Sequence, residues 1–267
     1  VSDPVVDLCS EWDLRPDGAA WRGSTAVVLP VLTRSGSGAA LKIGRPHPES
    51  ELEHLALTRW DGDGAVRLLR ADPRRSALLL ERLSEVSLAD VGDVEACTVV
   101  AGLYPRLHRP VGAPFRRLSE HLVASLEELA SLPRSAPIPR RLVEQALALG
   151  RDLVTDADTD GILIHTDLHY DNVLADESGR WRAIDPKPLS GDPHYELAPM
   201  LWNRFAELNH DVRDGVRRRF HTLVDSAGLD EDRARDWVVV RMVVNALEAN
   251  GGDWLTTCIA VAKAVQD

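Results

Sequence analysis

The hydrophobic pattern of this 267-residue chain changes period at Leu83. From Trp12 onwards, short apolar or β-branched runs alternate with turn signals; after Leu83, apolar residues recur at helical spacing over long segments. Residues 25–32 read as the middle strand of an antiparallel meander and residues 39–43 as its third, with breaks at Pro16-Asp17-Gly18, Gly23-Ser24 and residues 34–38. Residues 48–60 read as a helix with Glu49, Glu51 and Glu53 in its first turns, and Asp61-Gly62-Asp63-Gly64 ends it. Two more strands, 65–69 and 76–80, follow about a turn at Asp72-Pro73. Helices are expected at 87–108, 115–131, 139–155, 196–206, 212–227, 231–249 and 254–265, with a small hairpin at 172–184. The pattern predicts an α+β protein of two lobes. Residues 1–83 form a small lobe of five antiparallel strands plus a helix, and residues 84–267 a large, mostly helical one.

Composition narrows the partners. A net charge of -11 argues against nucleic acid, because a phosphate backbone rewards a basic face. It remains compatible with a cationic small molecule or with a nucleotide carried on a metal ion. Cys9, Cys97 and Cys258 are odd in number and widely spaced, which indicates neither a disulfide framework nor a zinc ribbon. No apolar run approaches the ~18 residues of a membrane span, and Val1-Ser2-Asp3-Pro4 does not read as a signal peptide. A cytoplasmic protein with no membrane partner is expected; oligomeric state is not legible. Of the 31 basic residues only Lys42, Lys187 and Lys263 are lysines.

The chemistry is concentrated in His165-Thr166-Asp167-Leu168-His169-Tyr170-Asp171-Asn172, delivered by Ile162-Leu163-Ile164 and followed by Ile184-Asp185-Pro186. An H-x-D-x-x-x-x-N pattern with a later lone Asp is what a phosphoryl-transfer site needs: a carboxylate for the acceptor hydroxyl, oxygen ligands for a metal, and a cation on the phosphates. Asp167 is the candidate base, Asn172 and Asp185 the Mg²⁺ ligands, and Lys42 the cation. One amide and one carboxylate suffice for Mg²⁺, which keeps waters and phosphate oxygens. Strand alternation sends Lys42 to the face opposite Leu41 and Ile43, either to a site or to water. Gly23-Ser24-Thr25 either covers phosphate with backbone N–H groups or is a plain hairpin turn.

Other readings of the same residues are weaker. His165 and His169 lack the Glu and the helix of a zinc H-E-x-x-H site. Residues 156–167 resemble a calcium loop but end in Asp167, lack a paired second loop, and run into a strand. Gly36-Ser37-Gly38 precedes a strand rather than a helix, and no lysine follows a glycine as a phosphate-binding P-loop requires.

These segments, with Leu41-Lys42-Ile43-Gly44, Leu78 to Leu83 and Ala183-Ile184-Asp185-Pro186-Lys187-Pro188-Leu189-Ser190-Gly191-Asp192-Pro193, resemble the aminoglycoside phosphotransferases. The likeness is to the branch of streptomycin 6-phosphotransferases and hydroxyurea phosphotransferases, and it spans about residues 12–255. It implies the bilobal protein-kinase-like fold and transfer of the ATP γ-phosphoryl group, with Mg²⁺, to a streptomycin-type aminoglycoside, an antibiotic-resistance activity. Hydroxyurea or another small metabolite is the alternative acceptor, and a non-catalytic nucleotide-binding module the alternative class. By resemblance Lys42 contacts phosphates and pairs with Glu53, the hinge from Glu81 to Leu83 holds adenine, and Glu196 helps hold the catalytic loop. A cationic acceptor suits acidic groups, and Glu207, Asp211, Glu248 and Asp253 are the candidates on the large lobe.

Overall fold

The computed structural model describes residues 4–23, 25–208, 211–249 and 251–266. In chain order the elements begin with α1 (Pro4–Glu11), β1 (Arg15–Pro16), β2 (Trp21–Arg22), β3 (Ala26–Leu32), β4 (Gly38–Gly44), α2 (Glu53–Trp60), β5 (Leu68–Asp72) and β6 (Ala77–Glu81). They continue with α3 (Asp93–Leu107), β7 (Arg109–Pro110), α4 (Leu118–Ser131), α5 (Arg140–Thr155), β8 (Ile162–Ile164), β9 (Val173–Ala175), β10 (Trp181–Ala183) and β11 (Leu189–Gly191). The last are α6 (Ala198–Trp202), α7 (Val212–Ala227), α8 (Glu231–Asn245) and α9 (Gly252–Ala264). They fall into two compact units, Val1–Ser87 with Val173–Lys187, and Leu88–Asn172 with Pro188–Asp267.

The first unit is built on an antiparallel sheet of order β1-β3-β4-β6-β5, with β2 also paired to β3. The expected first strand is therefore broken in two: Arg15 pairs with Leu32 at one end of β3, and Trp21 with Val28 further along. One sheet face packs Leu29, Val31, Ala39, Leu41, Ala77 and Leu79 against Leu8, Cys9, Trp12 and Leu14. Those four come from α1 and the turn after it, a helix that strand-like patterning did not suggest. At eight residues α1 owes its helicity to this burial rather than to propensity. The helix expected from residue 48 begins at Glu53, because Ser50 spends its hydroxyl on the His47 carbonyl and Leu52 supplies no side-chain cap. Asp61, in the left-handed region at φ 45°, closes it.

The strand expected at 65–69 divides its hydrogen bonds. Ala65 bridges Ala183 in parallel, Val66 N donates to the Ala183 carbonyl, and the chain joins β6 from Arg67, whose carbonyl accepts from Glu81 N. The β9–β10 hairpin is thereby attached to this unit, as it also is by the bridge between Ser87 and Leu174.

The second unit is mostly helical, with a small sheet of order β11-β8-β7. The helix expected at 196–206 breaks up: a 3-10 turn at Pro193–Leu197 leads into α6, which stops before Arg204 at φ 53°. The apolar run Val238-Val239-Val240-Arg241-Met242-Val243 makes α8 buried on nearly every side. Among the described residues no helix is long and apolar enough to cross a membrane.

Candidate active site

In the first unit the register of the sheet assigns side chains to faces. Directly opposed residues in antiparallel strands share a face, so the pairings Trp21–Val28, Val28–Lys42 and Lys42–Leu78 form one row, opposite the packed core face. Lys42 lies in that row, 9% exposed, and Nζ donates to both Glu53 carboxylate oxygens at 2.6 and 2.8 Å. It also donates to Asp185 Oδ1 at 2.5 Å. Burial pulls its pKa down, but the carboxylates of Glu53 and Asp185 outweigh burial and raise it above lysine's ordinary value. Lys42 is therefore a fixed cation, and the water-facing alternative is excluded. A cavity of about 570 Å³ opens beside it, lined by Thr25, Ala26, Arg45, Arg74, Leu78 and Lys187 among others.

Gly23 follows β2 and donates its N–H to the Ala26 carbonyl; the Trp21 ring lies where a Gly23 side chain would be. Ser24 lies outside the described residues. Glu81 ends β6, and its Oε1 accepts from Arg67 N at 2.8 Å, a bond that fixes the end of the strand. Half-buried Leu83 follows, ahead of Ser84, whose N–H donates to the Ala175 carbonyl.

In the second unit β8 presents His165-Thr166-Asp167 at its end. His165 is wholly buried and its Nδ1 accepts from Asp167 N at 3.3 Å, so it braces the loop. Asn172 Nδ2 donates to the Asp167 carbonyl at 2.8 Å, which leaves the amide oxygen as the acceptor a hard cation requires. The Asp167 side chain is 24% exposed, with His169 Nε2 3.8 Å from Oδ1.

Thr166 stands at φ 63°, an uncommon place for a β-branched residue. Its N–H donates to Glu196 Oε1 at 2.6 Å, and its carbonyl accepts from the Arg241 guanidinium. Glu196 is fully buried; burial raises its pKa, but the hydrogen bond from His108, at 3.0 Å from Oε2, and the further charges and donors around it hold it below the usual carboxylate value. Arg241 also donates to the Tyr195 carbonyl at 2.8 Å and lies over the Tyr195 and Trp202 rings. Neither His108 nor Arg241 was picked out from the sequence; the trace of Arg241 was a lone charge inside Val238–Val243.

The four acidic acceptor candidates lie in two short stretches of the chain, 207–211 and 248–253. Glu207 is committed to Arg204 at 2.6–2.9 Å, and Asp211 lies 4.0 Å from Arg218 before α7. Glu248 and Asp253 are exposed near the turn between α8 and α9. The calcium-loop carboxylates disperse, Asp156 to Arg233 and Asp158 N, and Asp160 to Ser119. Among the described residues no group of three or more His, Cys, Asp or Glu is placed to hold a metal by itself.

Residues 11–252 match the family model described as aminoglycoside/hydroxyurea antibiotic resistance kinase. The streptomycin 6-kinase of Streptomyces glaucescens is 41% identical over 250 residues, covering 91% of this chain and 81% of that protein. The hydroxyurea phosphotransferase of Kitasatospora aureofaciens is 44% identical over 253 residues, covering 91% and 71%. In fold the chain is similar to a thermostable mutant of aminoglycoside phosphotransferase APH(4)-Ia, solved as a ternary complex with AMP-PNP and hygromycin B. The TM-score is 0.60 at 16% identity, over 98% of this chain and 97% of that one.

Proposed function

The chain belongs to the family of aminoglycoside and hydroxyurea antibiotic-resistance kinases, and on that premise we propose that it transfers the γ-phosphoryl group of ATP to a hydroxyl of a streptomycin-type aminoglycoside. The observation that carries the reading is Lys42, buried on a sheet face and shared by Glu53 and Asp185 beside a cavity of about 570 Å³. A fixed ammonium flanked by a carboxylate that can change partners is what a polyphosphate with its metal ion requires.

In this reading Lys42 binds phosphate oxygens, Glu53 keeps its ammonium aimed, and the turn at Gly23 and Ser24 covers the phosphates, with the N–H of Gly23 itself kept by the Ala26 carbonyl. The backbone from Glu81 to Leu83 holds the base of the nucleotide. Asp167 accepts the hydrogen bond of the acceptor hydroxyl and orients its oxygen in line with the phosphorus. As the new P–O bond forms and the bond to the bridging oxygen of ADP breaks, the hydroxyl proton passes to the Asp167 carboxylate. Asn172 and Asp185 would hold Mg²⁺, and their hard oxygen donors fit it; when bound, the ion neutralises charge on the phosphates. Glu207, Asp211, Glu248 and Asp253 remain the proposed surroundings of a cationic acceptor, with Glu207 the least available because Arg204 neutralises it.

The test is ADP release from Mg²⁺-ATP with streptomycin, with hydroxyurea, and with neither. Streptomycin-dependent release is expected, and Asp167→Ala should abolish it while AMP-PNP affinity stays within about twofold. Hydroxyurea is the second acceptor to try, because the 44% relative carries that activity in its name. Release that ignores both acceptors, or survives in Asp167→Ala, overturns the reading.

A further inference from the structure

Two of the chain's three lysines converge on one carboxylate. Asp185 Oδ1 receives Lys42 at 2.5 Å, while Oδ2 has Lys187 Nζ at 3.9 Å. Lys263, the third, is exposed on α9. In a chain whose remaining basic residues are all arginine, both positions beside Asp185 carry the compact, rotatable ammonium rather than the planar guanidinium.

Lys187 is also held in place. It lies between Pro186 and Pro188, both buried. The first has its φ locked by its ring, and the second restricts Lys187 itself to extended backbone. Asp185, in the left-handed region at φ 56°, turns the chain into this segment. The side chain is 28% exposed and lines the same cavity as Lys42, close enough for its charge to bear on Glu53. By contrast Arg45 and Arg74, which also line that cavity, are exposed.

Without a ligand, Lys42 and Lys187 balance Glu53 and Asp185. A divalent cation at Asp185 would displace both ammonium groups from it. Lys42 keeps Glu53 as a partner, at 2.6 Å; Lys187 would then face the incoming anion as the less buried of the two. We propose that Lys187 is a second phosphate-binding cation, gripping the terminal phosphoryl group of the bound triphosphate, so that it sets preference for triphosphate over diphosphate. The proposal rests on the nucleotide part of the function argued above and is indifferent to the acceptor.

The experiment is titration of the full chain with Mg²⁺-AMP-PNP and with Mg²⁺-ADP, each variant's melting temperature being recorded first. Lys187→Met, which keeps the aliphatic stem, should weaken AMP-PNP by about tenfold or more and ADP by less than about twofold. Lys187→Gln serves where Met disturbs the fold. Lys187→Arg, which keeps the charge but replaces the compact head with the planar fork, should recover only part of the AMP-PNP affinity, and Lys263→Met should change neither. Equal losses for both nucleotides, or none, overturn the proposal. Wild type that binds AMP-PNP but releases no ADP with any acceptor overturns the acceptor reading alone; wild type that binds neither nucleotide overturns both.

Discussion

Thr166 carries its backbone at φ 63°, where a β-branched residue sits at a cost of about 1–3 kcal/mol. Its peptide groups are held from both ends, the N–H by Glu196 and the carbonyl by Arg241, and both holders are buried. The next residue is Asp167, so the conformation sets where that carboxylate points. Arg241→Met keeps the packing volume roughly but leaves the carbonyls of Thr166 and Tyr195 without the guanidinium. It should destabilise the protein by roughly 2–3 kcal/mol and lower kcat by about tenfold or more, with AMP-PNP affinity within about twofold. Thermal melts and steady-state kinetics check this; a lower melting point with unchanged kcat would make Arg241 a packing residue only. At this scale the sequence named Lys42, Glu53 and Asp185, which meet in one cluster, and proposed Asp167 and Asn172, because the spacing of these residues fits a chemical requirement. Arg241 and His108 were not legible, because they act on a backbone conformation that no side-chain pattern announces.

The helices after Leu83 were largely readable, since an apolar stripe at helical spacing extends over several turns. The elements that place the loop are too short for any period. β7, β8 and β11 have two or three residues each, and they exist through pairing with one another, Arg109 to Leu163 and Leu189 to Ile164. α1 was hidden for the same reason: eight residues next to strand-like sequence leave the burial of Leu8 and Cys9 as the only signal. The pairing of β11 with β8 depends on Gly191. A methyl group there would overlap Ile164 Cδ1 and come within 3.1 Å of Leu118 Cβ. Gly191→Ala should therefore cost about 1–3 kcal/mol, read as a drop in the denaturant midpoint. Ile164→Val removes the overlapping methyl, and in the double variant it should restore part of the loss, a non-additivity that independent sites would not show.

Over the whole molecule, 42 acidic against 31 basic groups give a net charge of -11, and that excess acts on substrates before any of them is bound. Streptomycin is a guanidinium-bearing cation, hydroxyurea is neutral, and Mg²⁺-ATP is an anion, so the three respond differently to the same field. Raising ionic strength from 0.1 to 1 M shortens the Debye length from about 10 to about 3 Å. For streptomycin, kcat/KM should fall by about five- to tenfold across that range, since screening removes the attraction that raises its encounter rate. For Mg²⁺-ATP it should stay level or rise, because screening relieves repulsion, and for hydroxyurea it should stay level. Potassium chloride titrations at saturating co-substrate separate these curves. A flat streptomycin curve would mean that the acceptor's charge goes unread, and would remove the argument for acidic groups such as Glu248 and Asp253 as its surroundings.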